Sequence, residues 1–294
     1  MTEPTTVTAH RPASLHLGAL FTILSALGFA SMDAMSKLLV RDYAISQTLW
    51  IRYAVFTLFA LLIARRSGVR RTFRSRRPWL QAARSLLGLV ENGIFVLAFL
   101  YLPLADTHAV AATSPLIVVA LSTLFLHERP DLRRWLAVAA AFAGVLLIIR
   151  PGFQTLSWPL LLPLGGALLW AIYQMLIRVC AGYDRPETTL LWTAWVGFAA
   201  TSFIGPWQWH TPDATAWALL AGVALLGSLS HYALIKALDY AAAGAIQPYS
   251  YFLLVFAALL GVLVFGDIPD AWTITGAAIV VLSGLYTWRR DRIA

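Results

Sequence analysis

Ten stretches of this chain are each apolar for about twenty residues, and that repetition decides what it can fold into. A bilayer core about 30 Å thick is spanned by roughly 20 apolar residues in a helix. The stretches are 15–36, 46–64, 79–101, 105–126, 132–150, 159–179, 188–206, 214–238, 243–265 and 271–288. They are too long and too unalternated for barrel strands. In lipid, a helix is the structure that satisfies its own backbone polar groups. Composition agrees: 60% of residues are hydrophobic and 12% charged, about half the charge of a soluble domain. The expectation is an all-α integral membrane protein with ten transmembrane helices and a lipid bilayer as its surroundings.

The net charge of +8 could suggest nucleic acid, but the arginines are dispersed between apolar runs, which excludes that partner. They follow a topological rule instead. With the amino terminus inside, seventeen of the 22 Lys and Arg residues fall on inner stretches: Arg11, the run Arg65–Arg77, Arg129, Arg133, Arg134, Arg178, Arg185, Lys236, Arg289, Arg290 and Arg292. Lys37, Arg41 and Arg150 fall outside, and Arg52 and Arg84 lie within helices. Both termini are therefore expected in the cytoplasm of a bacterial inner membrane. Residues 1–14 read as a polar cytoplasmic tail without the layout of a cleaved signal, and 289–294 as a second tail. The single cysteine, Cys180, suits a small apolar filler.

Shifting the chain by about 140 residues brings landmarks into register. Glu128 meets Asp267, Pro130 meets Pro269, Asp131 meets Asp270, Tyr101 meets Tyr240, and Lys37 meets Arg178. Residues 15–150 and 151–288 then form two repeats of five spans each. An odd number of spans sends the second repeat into the membrane from the opposite side. Such inverted repeats place a substrate site between the halves near the midplane.

Tyr101-Leu-Pro-Leu-Ala-Asp106, Ala112-Thr-Ser-Pro-Leu116, His127-Glu-Arg-Pro130 and Ala143-Gly-Val145 resemble the EamA domain of the drug/metabolite transporter superfamily. So do Phe29-Ala-Ser31, Lys37 and Leu49-Trp-Ile-Arg-Tyr53. The likeness covers two tandem copies. The second is looser, with Gln247-Pro-Tyr-Ser-Tyr251 in place of a small-residue stretch and Asp267 where Glu is typical. The resemblance implies a ten-helix basket whose cavity is lined by helices 1–4 and 6–9, with helices 5 and 10 peripheral. It implies export of metabolites by alternating access. The branch it resembles most exports aromatic amino acids and methionine, so the expected substrate is amino acid-like. Cationic drugs and nucleotide-like metabolites are the alternatives.

Ionisable groups inside spans usually face a cavity. Asp33, Arg52 and Glu91 share one level of the bilayer by helical rise, and a polar cluster is expected there, with Arg52 neutralising a carboxylate. A structural pair that fixes helix packing is the plainer alternative. Arg84, one to two turns into helix 3, is expected to snorkel to the cytoplasm. The repeat overlays Glu91 and Asn92 on Ser230 and His231, Asp33 on Gln174, and Arg52 on Thr193. The first half thus supplies charge. The second half supplies aromatics, with Trp170, Tyr173 and Tyr251 beside Ser250 as cavity candidates. Trp207, Trp209, Trp272 and Trp288 suit an interfacial belt. Pro115, Pro163 and Pro248 are candidate hinges.

Glu91 or Asp33 is the group that would carry a coupling proton. No Walker A loop and no HExxH motif is present, so neither ATP-driven transport nor zinc chemistry is expected, and no metal or cofactor is implied. An intramembrane enzyme would need a catalytic set at depth; adjacent Ser230 and His231 point about 100° apart on a helix. A channel would need charge rings or filter carbonyls. Oligomeric state and coupling ion are not encoded legibly.

Overall fold

The structure, a computed structural model, describes residues 14–125, 132–149, 158–241, 246 and 249–291. Every described element is helical. In the first half these are α1 (Leu15–Leu39), α2 (Ile45–Arg65), α3 (Val69–Phe73), α4 (Pro78–Phe99), α5 (Leu104–Ala111), α6 (Ser114–Phe125) and α7 (Leu132–Ile149). In the second half they are α8 (Leu161–Ala181), α9 (Pro186–Ser202), α10 (Ala214–Tyr240), α11 (Phe252–Leu260) and α12 (Ala271–Asp291). Taking α5 with α6 as one broken span, each half contributes five. Five helices, α1, α2, α4, α8 and α10, are each long and apolar enough to cross a membrane on their own.

Local signals set the ends. The Ser14 and Asp213 side chains cap α1 and α10 by accepting from Leu17 N and Ala216 N, and Asp270 Oδ1 accepts from Thr273 N at the start of α12. Pro78 and Pro186 occupy first helical turns, where a missing N–H costs nothing. Pro163 does the same in α8, three residues from its start, so it opens the helix without kinking it. The span predicted at 105–126 is interrupted at Ala112–Thr113, just ahead of Pro115. Pro248 lies outside the described residues. The second half bends by another device: α11 runs into a π turn, Gly261–Phe265, closed by Gly266 at φ +69°.

The helix packing obeys an exchange of halves. α1 packs on α10, and α8 packs on α4. α2 meets α10, and α9 meets α4. α1 meets α11, while α8 meets α5 and α6. α2–α9 and α7–α12 are each their own counterpart. This is a pseudo-two-fold arrangement, and five spans per half make it an inverted one. Small residues let the helices close up. A Cβ on Gly144 would come within 2.8 Å of the Gly276 carbonyl, so the Gly/Ala stripes of α7 and α12 face each other within the chain. Hydroxyls that would otherwise be stranded in lipid return to their own helix: Thr22, Ser36, Thr57, Ser85, Thr201 and Ser228 donate to carbonyls four residues back.

At one end of the bundle Lys37 is buried and converges with the second half. Its Nζ lies 3.1 Å from Asp267 Oδ2, donates to the Leu102 carbonyl at 3.0 Å and sits 4.9 Å from the Phe265 ring. Arg178, its repeat partner, donates to the Leu238 carbonyl at 2.8 Å at the opposite end. Trp207, Trp209 and Trp272 are exposed at the Lys37 end, as an interfacial belt requires. Cys180 is buried.

Candidate functional site

A central cavity with an empty volume of about 740 Å³ lies between the halves. α1 contributes Phe29, Met32 and Asp33; α4 contributes Glu91, Asn92 and Phe95; the α5–α6 break contributes His108 and Ser114. From the second half come Trp170 and Gln174 on α8, His231 on α10, and Ser250 and Tyr251 ahead of α11. The lining therefore consists of repeat equivalents: Phe29 opposite Trp170, Asp33 opposite Gln174, Asn92 opposite His231. The resemblance implied walls from helices 2 and 7 as well. α2 and α9 contribute none of the described lining and pack behind it.

Eight residues anticipated from sequence line this cavity: Asp33, Glu91, Asn92, Trp170, Gln174, His231, Ser250 and Tyr251. Three do not. Arg52 is 1% exposed and sits behind the wall, where its Nη1 donates to Asn92 Oδ1. Its hydrogen bond thus goes to a carboxamide, where the sequence suggested a carboxylate. Tyr173 is fully buried: a Cβ on Gly88 would touch its ring at 2.7 Å. Ser230 faces α1, its carbonyl accepting from Ser25 Oγ at 2.9 Å and its Oγ lying against Gly28.

Arg84 also corrects an expectation. It does not reach the membrane surface; it is wholly buried. Its guanidinium donates to Gln81 Oε1 at 2.9 Å, Ser85 Oγ at 3.2 Å, the Thr189 carbonyl at 3.0 Å and Thr193 Oγ1 at 3.0 Å. Two polar residues on the facing turn of α9 make burial cheaper than snorkelling.

His108 is the main site residue that sequence reading missed. Its Nε2 lies 3.3 Å from Asp33 Oδ2, at ion-pair distance without hydrogen-bond alignment. Its ring stacks at 6.1 Å on Phe95 and tilts at 6.0 Å against Phe99. The signal was a lone imidazole inside an apolar run. His231 is held differently. Its Nδ1 donates to the Gly227 carbonyl at 2.9 Å, which leaves Nε2 of a neutral ring as an acceptor. Phe29 packs edge-on against both His231 (4.9 Å) and Trp170 (5.7 Å).

The polar atoms left over point to what the cavity can hold. Ser114 Oγ and Tyr251 OH are buried without a protein partner. Buried polar groups are normally paired, so unpaired ones on a cavity wall are available to a guest. Among the described lining residues there is no Lys or Arg: the ionisable groups are two carboxylates and two imidazoles. No cluster of His, Cys, Asp and Glu among the described residues could hold a metal.

The EamA-like transporter family matches residues 16–150 and again residues 157–288. A riboflavin transporter of Rhizobium johnstonii is 30% identical, over 96% of this chain and 94% of that one. A riboflavin transporter of Vibrio cholerae is 28% identical, over 90% and 91%. A pseudopaline exporter of Pseudomonas aeruginosa is also 28% identical, over 92% and 95%. These are not exporters of aromatic amino acids, the branch the motifs most resembled. One solved crystal structure superposes with a TM-score of 0.66 at 17% identity, over 96% of this chain and 99% of the other, which shows the fold alone.

Proposed function

Because the chain belongs to the EamA-like transporter family, we propose that it carries a planar, hydroxylated heteroaromatic metabolite of the riboflavin class across the membrane by alternating access. The observation that carries this reading is the cavity's composition: aromatic walls, carboxamides and carboxylates, with no Lys or Arg on the described lining. A flat ring system gains dispersion and ring contacts between Phe29, Trp170 and Tyr251. A ring edge that both donates and accepts suits the carboxamides of Asn92 and Gln174. Chain hydroxyls suit Asp33, Glu91 and the Ser114 hydroxyl. The names of two relatives support the same class.

Amino acid export is the second reading, and one observation favours it. His108 Nε2 lies 3.3 Å from Asp33 Oδ2, so an imidazole and a carboxylate stand together on the cavity wall as candidate partners for a zwitterion. It ranks lower because the α-carboxylate of a free amino acid would lack a guanidinium, Arg52 being behind the wall. The arginine-rich end is assigned to the cytoplasm of a bacterial inner membrane, with both termini there and export as the direction.

Riboflavin fluorescence gives a direct test on the purified protein. Saturable quenching is expected, weakened about three- to tenfold in Trp170→Ala, which removes a ring contact. Phenylalanine competing as well as riboflavin would sink the preferred reading.

A further inference from the structure

A second depression, with an empty volume of about 780 Å³, lies at the arginine-rich end, remote from the central cavity. Both halves build it. Ser67, Arg71, Arg74 and Arg76 come from the connection between α2 and α4; Tyr183 and Arg185 come from the connection between α8 and α9. Two acids, Asp184 and Glu187, also line the depression, and both are already committed. Asp184 accepts from Ser75 Oγ at 2.5 Å, Arg76 N at 3.0 Å and Gln81 Nε2 at 2.9 Å. Glu187 lies 3.7 Å from Lys236. The guanidiniums of Arg71, Arg74, Arg76 and Arg185 have no acceptor among the described residues.

Aromatic packing holds the short α3, which carries Arg71, against α9. Phe73, the last residue of α3, stacks on Trp192 at 5.1 Å and meets Trp195 edge-on at 5.5 Å. Trp192 Nε1 donates to the Phe73 carbonyl at 3.1 Å. Arginines gathered on the connections at one end of a membrane-spanning bundle are the layout of a lipid headgroup site. The pseudo-symmetric connection at the other end, between α9 and α10, carries Trp207 and Trp209 and not one Lys or Arg. The arginines are therefore an addition at one end and not a requirement of the architecture.

We propose that this depression binds a phosphate group, supplied by the headgroup of an anionic phospholipid, and so bridges the two halves at the arginine-rich face. Arg74 and Arg71 reach it from one half and Arg185 from the other. Guanidinium forks suit phosphate oxygens bidentately.

Native mass spectrometry of the full-length protein with dioleoylphosphatidylglycerol and dioleoylphosphatidylcholine tests this. Retention of the glycerol lipid should exceed that of the choline lipid by about tenfold, near what two interfacial arginines supply. The preference should vanish in R71Q/R74Q, shrink without vanishing in R71K/R74K, which keeps the charge but loses the fork, and weaken in Arg185→Gln, which keeps the assay decisive if the double variant misfolds. Millimolar inorganic phosphate that displaces the lipid and is itself retained would overturn the lipid source in favour of a soluble phosphate. Equal retention of both lipids, or a preference that survives R71Q/R74Q in folded protein, would overturn the site.

Discussion

Arg52 and Arg84 are both buried in the middle of a membrane protein, yet they do different work. The two sit in equivalent junctions: α2 against α10 for Arg52, and α4 against α9 for Arg84. Arg84 has four neutral acceptors around it, two of them on α9, and only its Nη1 lacks one, so its charge is spread into the helix interface. Arg52 has one, Asn92, and its Nε and Nη2 lack a partner. Asn92 lines the cavity. One arginine therefore fastens helices, and the other positions a cavity side chain while keeping donors in reserve. Location in the bilayer did not separate them; acceptor supply on the facing helix did.

The largest expected effect comes from removing the fastener. Arg84→Ala should lower stability by about 3 kcal/mol, through a side-chain-sized cavity and orphaned acceptors. Thermal unfolding in detergent reads this, and an unshifted midpoint would contradict a fastening role. Arg52→Gln comes next and should act on transport. It keeps a donor for Asn92 but loses the charge, so flux should fall about tenfold, with stability changed by no more than about 1 kcal/mol. If instead its unfolding shifts as far as that of Arg84→Ala, the division between the two arginines is wrong. The smallest effects are expected at equivalent glycines. A Cβ on Gly227 would meet Met32 Sδ at 2.9 Å and Arg52 Nε at 3.0 Å, while one on Gly88 would meet the Tyr173 ring at 2.7 Å. Gly227→Ala can displace a flexible guanidinium and should mainly impair flux. Gly88→Ala strikes a ring that can tilt aside and should cost about 1 kcal/mol of stability, with flux little changed. Measuring both quantities in both variants sharpens the contrast.

Much of this was legible in the sequence, for a physical reason. Lipid demands long apolar helices, so α1, α2, α4, α8 and α10 stand close to where their apolar runs put them. Lys37 and Arg178, in register, end at opposite faces of the bundle. The division of labour between the halves did not hold as drawn: Asp33 and Glu91 line the cavity from the first half, but so do Phe29 and Phe95, so aromatics come from both halves. What failed depended on neighbours in space. Arg84 looked like a surface-seeking residue because Thr189 and Thr193 lie more than a hundred positions away. His108 was lost inside a window whose average is apolar. The π turn at Gly261–Phe265 has no proline to announce it. The short α3 was hidden in an arginine run that reads as topology alone.

Under the proposed function, the cavity suits a flat, hydroxylated ring system better than a free amino acid. Counterflow in proteoliposomes tests it most directly, with vesicles preloaded with unlabelled riboflavin and offered labelled riboflavin or labelled phenylalanine. Flavin should accumulate, the accumulation should collapse in Arg52→Gln, and phenylalanine should move little. Accumulation of phenylalanine with no flavin counterflow would contradict it.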